Sequence, residues 1–305
     1  TMKKVLFATT ALVATAGVAQ ADVSLSGAAN FGVVNNGTDA GMDNAYNNAS
    51  ITATMSGASD NGLTFGASMT VRVGDDVDLD VGDLGDNDAD NDGDIDALSD
   101  TSFGNIFVSG AFGTLTFDRG GIDNLMNDDF SHDIQYGYSA GGWTIGLTAD
   151  IDNNDGAYAD GEEWSASIGY SMDALTVTLK TDDSGESDTT VSYAINDMLT
   201  ATLNYDTDGQ TVNGATEAET TVTVAYAADG LSASLSLLDD DDDSWAVSLG
   251  YTMGALTLGA ALGEDGDGDD TEMDLTASYD LGGGLSLKAA TNETGAFFVG
   301  GAMSF

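Results

Sequence analysis

The chain has 305 residues, with 52 Asp or Glu against 6 Lys or Arg and a formal net charge of −46. Nucleic acid is excluded as a partner, because phosphate backbones attract clustered cations and repel this balance. The absence of cysteine rules out a disulfide scaffold, a thiolate metal site and a cysteine nucleophile, and 42% hydrophobic residues are too many for simple acidic disorder.

Lys3 and Lys4 open the chain, an Ala-rich apolar run follows from Val5 to Val18, and Ala19-Gln20-Ala21 has the small residues of a cleavage site. This order predicts a secretory signal peptide over residues 1–21, with Asp22 as the first mature residue. The run is shorter than the ~20 residues that a spanning helix needs. Without Lys3 and Lys4, four cations face all 52 carboxylates. Residues 22–305 read as one domain, since no later apolar run approaches a spanning helix. The exported chain is then either soluble or carried through a membrane by strands.

From Asp22 onward the chain alternates. Leu63, Phe65, Ala67, Met69, Val71 and Val73 share one parity, while Thr64, Gly66, Ser68, Thr70 and Arg72 take the other. Leu175, Val177 and Leu179 oppose Thr176, Thr178 and Lys180, and Trp245, Val247, Leu249 and Tyr251 oppose Ala246, Ser248 and Gly250. A period of two means strands with one apolar and one small or polar face. A longer rhythm overlies it, in which a Tyr ends one strand, a tight turn follows and a Leu starts the next. Tyr170 with Leu175, Tyr226 with Leu231, Tyr251 with Leu256 and Tyr279 with Leu285 show it, and Tyr138 with Trp143 and Tyr193 with Leu199 are variants. With 40 Gly and no Pro, those turns must be made by Gly, Asn and Asp.

Eight such turns plus a first and a last strand make 18 strands. The other connections are longer and Asp-rich, at 74–100, 151–162, 206–217, 238–244 and 263–271. Short turns at one end, acidic loops at the other and an outward apolar face describe a transmembrane antiparallel β-barrel of the outer membrane. The Tyr residues share the apolar parity, as an interface girdle at the periplasmic end requires, and Trp164 and Trp245 belong to a girdle at the outer end. A soluble sandwich would show the same alternation with the apolar face inward, but large core residues are scarce. The chain ends with Phe297, Val299, Met303 and Phe305 on one parity. It resembles the terminal strand by which barrels engage the assembly machinery, through Phe305.

Several stretches carry a family resemblance. Asp22-Val-Ser-Leu-Ser-Gly-Ala-Ala-Asn-Phe-Gly-Val-Val, the stretch from Thr54 to Ser68, Phe107-Val-Ser-Gly-Ala-Phe-Gly-Thr-Leu115 and Ala277-Ser-Tyr-Asp-Leu-Gly-Gly-Gly284 are similar to alphaproteobacterial general diffusion porins of the Rhodobacter type. The resemblance implies 16 strands against the 18 counted, and a homotrimer embedded in outer-membrane lipid and lipopolysaccharide. It also implies a water-filled pore for ions and small hydrophilic solutes, with the third external loop folded inside. Residues 119–133 are the candidate for that loop. Asp123, Asp128 and Asp129 on it, flanked by Asp118 and Asp133, would face Arg72, Arg119, Lys180 and Lys288 on the wall. Such a lumen orients polar solutes and prefers cations.

Two further readings concern calcium and catalysis. Residues 75–100 hold 12 Asp and no cation. Asp88, Asp90, Asp92, Gly93, Asp94 and Asp96 follow the D-x-D-x-D-G spacing of a calcium loop, although Ser99 stands where a bidentate Glu closes such sites and Asp100 comes one residue late. A solvated acidic loop is the plainer reading, and no cofactor is required. His132 is the only histidine, so no His-based triad or multi-His metal site can be assembled, and an enzyme is not expected. The alternative to a porin is an exported acidic, calcium-stabilised surface or adhesion protein without a pore.

Overall fold

A computed structural model describes residues 21–35, 43–75, 97–126, 131–151, 163–212, 215–239, 244–264 and 271–305. These residues form 18 strands. The first six are β1 (Ala21–Asn35), β2 (Asp43–Ala58), β3 (Thr64–Asp75), β4 (Ala97–Gly110), β5 (Gly113–Asp123) and β6 (Ser131–Ala140). Then come β7 (Trp143–Ala149), β8 (Trp164–Met172), β9 (Leu175–Asp182), β10 (Ser187–Asn196), β11 (Leu199–Val212) and β12 (Ala215–Ala228). The last are β13 (Leu231–Asp239), β14 (Trp245–Met253), β15 (Leu256–Glu264), β16 (Thr271–Gly282), β17 (Leu285–Thr291) and β18 (Phe297–Ser304).

Each strand pairs antiparallel with the next, and β18 returns to β1 from Asn35 opposite Phe297 to Ala28 opposite Ser304. Two more bonds, Phe305 N–H to Gly27 C=O at 2.8 Å and Gly27 N–H to Phe305 C=O at 3.2 Å, extend the seam to the last residue. The sheet is a closed up-and-down barrel, which leaves no strand edge unpaired at the seam. The turn count of 18 stands, and the 16 implied by resemblance does not.

The turns explain why glycine replaces proline. In the β12–β13 turn both central residues, Asp229 at φ 50° and Gly230 at φ 81°, are left-handed. That geometry matches the twist of a two-residue hairpin, and proline's fixed negative φ forbids it. A side chain at Gly230 would also run into the Thr252 carbonyl oxygen. The Tyr rhythm has its cause in the register. Tyr193, Tyr226, Tyr251 and Tyr279 lie opposite Leu175, Leu199, Leu231 and Leu256, so each Tyr packs beside the Leu that starts the preceding strand. Trp143 and Tyr170 make the same pair with ring centroids 4.6 Å apart.

The apolar parity faces outward: Leu25, Ile51, Leu237 and Val299 are more than half exposed. Among the described residues only seven hydrophobic side chains are buried, too few for the packed core of a sandwich. Five of them, Val34, Tyr46, Ala290, Ala296 and Phe298, form one patch on the inner side of the seam. Tyr46 lies where side chains at Gly32 and Gly300 would stand, its ring 2.9 Å from a Cβ at residue 32 and its hydroxyl 2.9 Å from one at residue 300.

Two expected loops are shorter than their sequence suggested. The stretch 206–217 is mostly strand, because β11 and β12 continue as a ribbon to Val212 and Ala215 after a register shift between Asp206 and Gln210. Within 119–133, β5 runs to Asp123 and β6 starts at Ser131. Strand β4 begins at Ala97, inside the 75–100 stretch, of which 76–96 lies outside the described residues.

Candidate functional site: the inner wall and its inserted hairpin

The inner face of the barrel is a lattice of small hydroxyls that bond across strands. Thr52 with Thr70 at 2.9 Å, Ser109 with Thr114 at 2.8 Å, Thr223 with Ser236 at 2.8 Å and Ser234 with Ser248 at 2.7 Å are examples. Such groups exchange readily with water and do not fill space. A closed barrel of 16–18 strands with this lining holds an aqueous channel.

One hairpin leaves the wall. The β4–β5 pairing stops at Ile106 opposite Phe117. The β5–β6 register then jumps from Phe117 opposite Ile134 to Ile122 opposite His132, so 118–121 bulge against a single partner residue. A bulge of this kind bends its strand. Beyond it, Ile122, Asn124, Met126 and His132 are all buried. Leu125 N–H donates to Ser165 Oγ at 2.9 Å, and Leu125 Cδ1 comes within 3.2 Å of a Cβ built on Gly146. Gly146 and Ser165 have the parity of Thr144, Thr148 and Ser167, opposite to exposed Ile145, Leu147 and Ile168. Residues 122–126 therefore lie inside the barrel, against the inner face of β7 and β8. Where the hairpin departs, Phe103, Ile106, Phe117, Asp118, Asp133 and Ile134 help to line a cavity of about 480 Å³ in the wall.

The expected constriction residues divide as follows. Asp123 is exposed at the end of β5, Asp118 is half-buried at the start of the bulge, and the Asp133 carboxylate accepts Ile151 N–H at 3.0 Å. Arg119 lies in the bulge by its backbone, while Asp128 and Asp129 lie outside the described residues. The three remaining cations are dispersed over β3, β9 and β17. Arg72 pairs across strands with Ser50 and Asp100, and Lys288 with Ser278 and Gly300. Lys180 pairs with Ser167, which lies opposite Gly146, so it neighbours the hairpin's seat.

Sequence reasoning missed the carboxylates beside Lys180. Its Nζ lies 3.0 Å from Asp188 Oδ2, and Asn204 Nδ2 donates to Asp188 Oδ1 at 2.9 Å. Asp188 stands opposite Asp206, and Asp206 opposite Glu219. The row Lys180, Asp188, Asp206, Glu219 thus crosses β9 to β12 on the inner face. Its signal was the shared parity of these residues with Thr190, Thr202 and Thr221. Of the six candidate calcium ligands, Asp100 stands opposite Arg72 on β4. Asp88, Asp90, Asp92, Asp94 and Asp96 lie outside the described residues.

Comparison with known proteins agrees with this geometry. A porin of Rhodobacter capsulatus is 28% identical over 293 residues, spanning 87% of this chain and 92% of the relative. Engineered variants of the Rhodopseudomonas blastica porin superpose on 93% of this chain and 100% of their own. Two of them give TM-scores of 0.55, at 18% and 20% identity. The family model described as Gram-negative porin matches residues 8–295. With its closed barrel and hydroxyl-lined interior, this outer-membrane chain belongs to the Gram-negative porins.

Proposed function

We propose that this porin passes ions and small hydrophilic solutes by passive diffusion, with a preference for cations. One observation carries that preference. Asp100, Asp188, Asp206, Glu219 and Asp274 have inner-face parity, against Arg72, Lys180 and Lys288, and Lys180 is already paired with Asp188. Fixed carboxylates along a pore concentrate cations and exclude anions. Asp123, exposed on the inserted hairpin, adds to the same field. The test is the reversal potential across a planar bilayer under a potassium chloride gradient. A potential of cation sign supports the reading; an anion sign, or no conductance, overturns it.

Three further proposals attach to this one. A homotrimer is supported by the outer surface, where the Tyr and Trp girdle runs from β6 to β16. Among the described residues, β17, β18 and β1 to β5 carry no outward Tyr or Trp, and β2 turns Ala45, Ala49 and Ala53 outward instead. Aromatic girdles mark contact with lipid headgroups, so the bare arc suits contact with further copies. Unheated electrophoresis after cross-linking reads the copy number. Export through residues 1–21 and assembly through Phe305 complete the route to the outer membrane. Calcium at Asp88, Asp90, Asp92, Asp94, Asp96 and Asp100 would raise the unfolding temperature relative to chelator. It would do so in the parent and not in an Asp90→Asn/Asp92→Asn variant. The pore-free adhesion reading has no observation in its favour that the porin reading lacks.

A further inference from the structure

We propose that Ser165 is the positioning residue of the pore: its buried hydroxyl, with the Gly146 notch, holds the β5–β6 hairpin against the wall and so sets the open cross-section. The proposal rests on the diffusion-pore reading. Ser165 is fully buried, on an inner face where most serines and threonines are partly wet. Its Oγ accepts Leu125 N–H at 2.9 Å, 40 residues away in sequence, and shares a hydrogen bond of 2.5 Å with Thr148 Oγ1. Thr148 is itself only 3% exposed. One hydroxyl therefore ties β7, β8 and the hairpin together.

The apolar half of the latch is one of shape. Leu125 Cδ1 lies 3.2 Å and Cδ2 3.6 Å from the Cβ position of Gly146, and Ser167 Oγ lies 2.6 Å from that position on its other side. Any side chain at residue 146 must displace either Leu125 or Ser167. Glycine here is thus the socket for a knob arriving from another part of the chain. The neighbouring inner positions Thr144 and Ser167 carry side chains, and at Gly169, the other inner glycine of these two strands, the Thr144 hydroxyl already fills the space. Together the donor, the acceptor and the notch dock residues 122–126 at one place on the wall.

The test uses the full-length protein refolded into detergent and inserted singly into planar bilayers. Variants are Ser165→Ala, Ser165→Thr and Leu125→Ser, read by single-channel conductance, open-channel noise and the largest sugar that permeates liposomes. Losing one hydrogen bond of ordinary strength shifts the docked-to-free ratio by about 5-fold. Ser165→Ala is expected to raise noise and admit larger sugars, and Ser165→Thr, which keeps the hydroxyl, to restore the parent values. Leu125→Ser alters the hairpin and no residue of the cylindrical wall, so it remains readable should Ser165→Ala fail to fold. It is expected to raise noise and sugar cutoff while heat-modified mobility stays that of the parent. Parent-like conductance, noise and cutoff in both Ser165→Ala and Leu125→Ser would overturn the latch. A parent protein that does not conduct would instead overturn the pore reading, so the two failures are distinct.

Discussion

Two neighbouring stretches of the inner wall share one alternation and put it to different uses. On β7 and β8 the inward positions are Thr144, Gly146, Thr148, Ser165, Ser167 and Gly169, small enough to seat a hairpin. On β9 to β12 the inward row is Lys180, Asp188, Asp206 and Glu219, a line of charged side chains in which Asp188 is buried against Lys180. Their outer faces are alike, with Ile145, Leu147 and Ile168 on one and Leu179, Leu203 and Val222 on the other. Burial outside therefore fixes the strands, and the inner face is free to become a seat in one place and a field in the next. Period-two alternation makes that separation possible, because inner and outer residues never compete for one position.

The comparison breaks most readily from outside. If both outer faces meet lipid, Ile145→Arg and Leu203→Arg should each destabilise the barrel by about 2–4 kcal/mol, read as folded fraction against urea in lipid vesicles. A tolerated arginine at either position would contradict the lipid assignment of that stretch. A smaller effect is expected on the charged wall. Asp188→Asn leaves the half-buried Lys180 without its carboxylate and should cost about 1–3 kcal/mol. Ser192→Ala, which lies on the same strand and the same face, should cost less. Equal losses would show that the ion pair contributes nothing specific. The smallest effect belongs to Asp206→Asn and Glu219→Gln. Like charges directly opposite on a sheet oppose folding, so each change should leave stability within about 1 kcal/mol of the parent, or raise it, while cation preference falls.

The barrel was legible because its rules are local. Parity placed Arg72, Lys180 and Lys288 on the inner face, and the Tyr–turn–Leu rhythm gave eight turns and hence 18 strands. Stretch 206–217 misled because Asp206, Asp208 and Glu217 look like a loop, whereas Thr211 with Thr216 and Val212 with Ala215 find partners in each other. The site was legible only in part. An inward hairpin could be placed from family resemblance, but its seat joins Leu125 to Ser165 and Gly146 on other strands, and no local pattern pairs them. Likewise Asp188 sits eight residues beyond Lys180, across a turn, and only the β9–β10 register brings the two together. Charges assigned by parity alone therefore looked like a row of free wall cations. One of them is already neutralised.

Selectivity tests the central claim most directly: that wall carboxylates, rather than clustered cations, set the field in this pore. The measurement is the reversal potential of single channels in a potassium chloride gradient, for the parent and for the Asp206→Asn/Glu219→Gln double variant. The expected result is a potential of cation sign in the parent, moved toward zero in the double variant, with heat-modified mobility unchanged. A parent potential of anion sign, or one that the double variant leaves where it was, would contradict it.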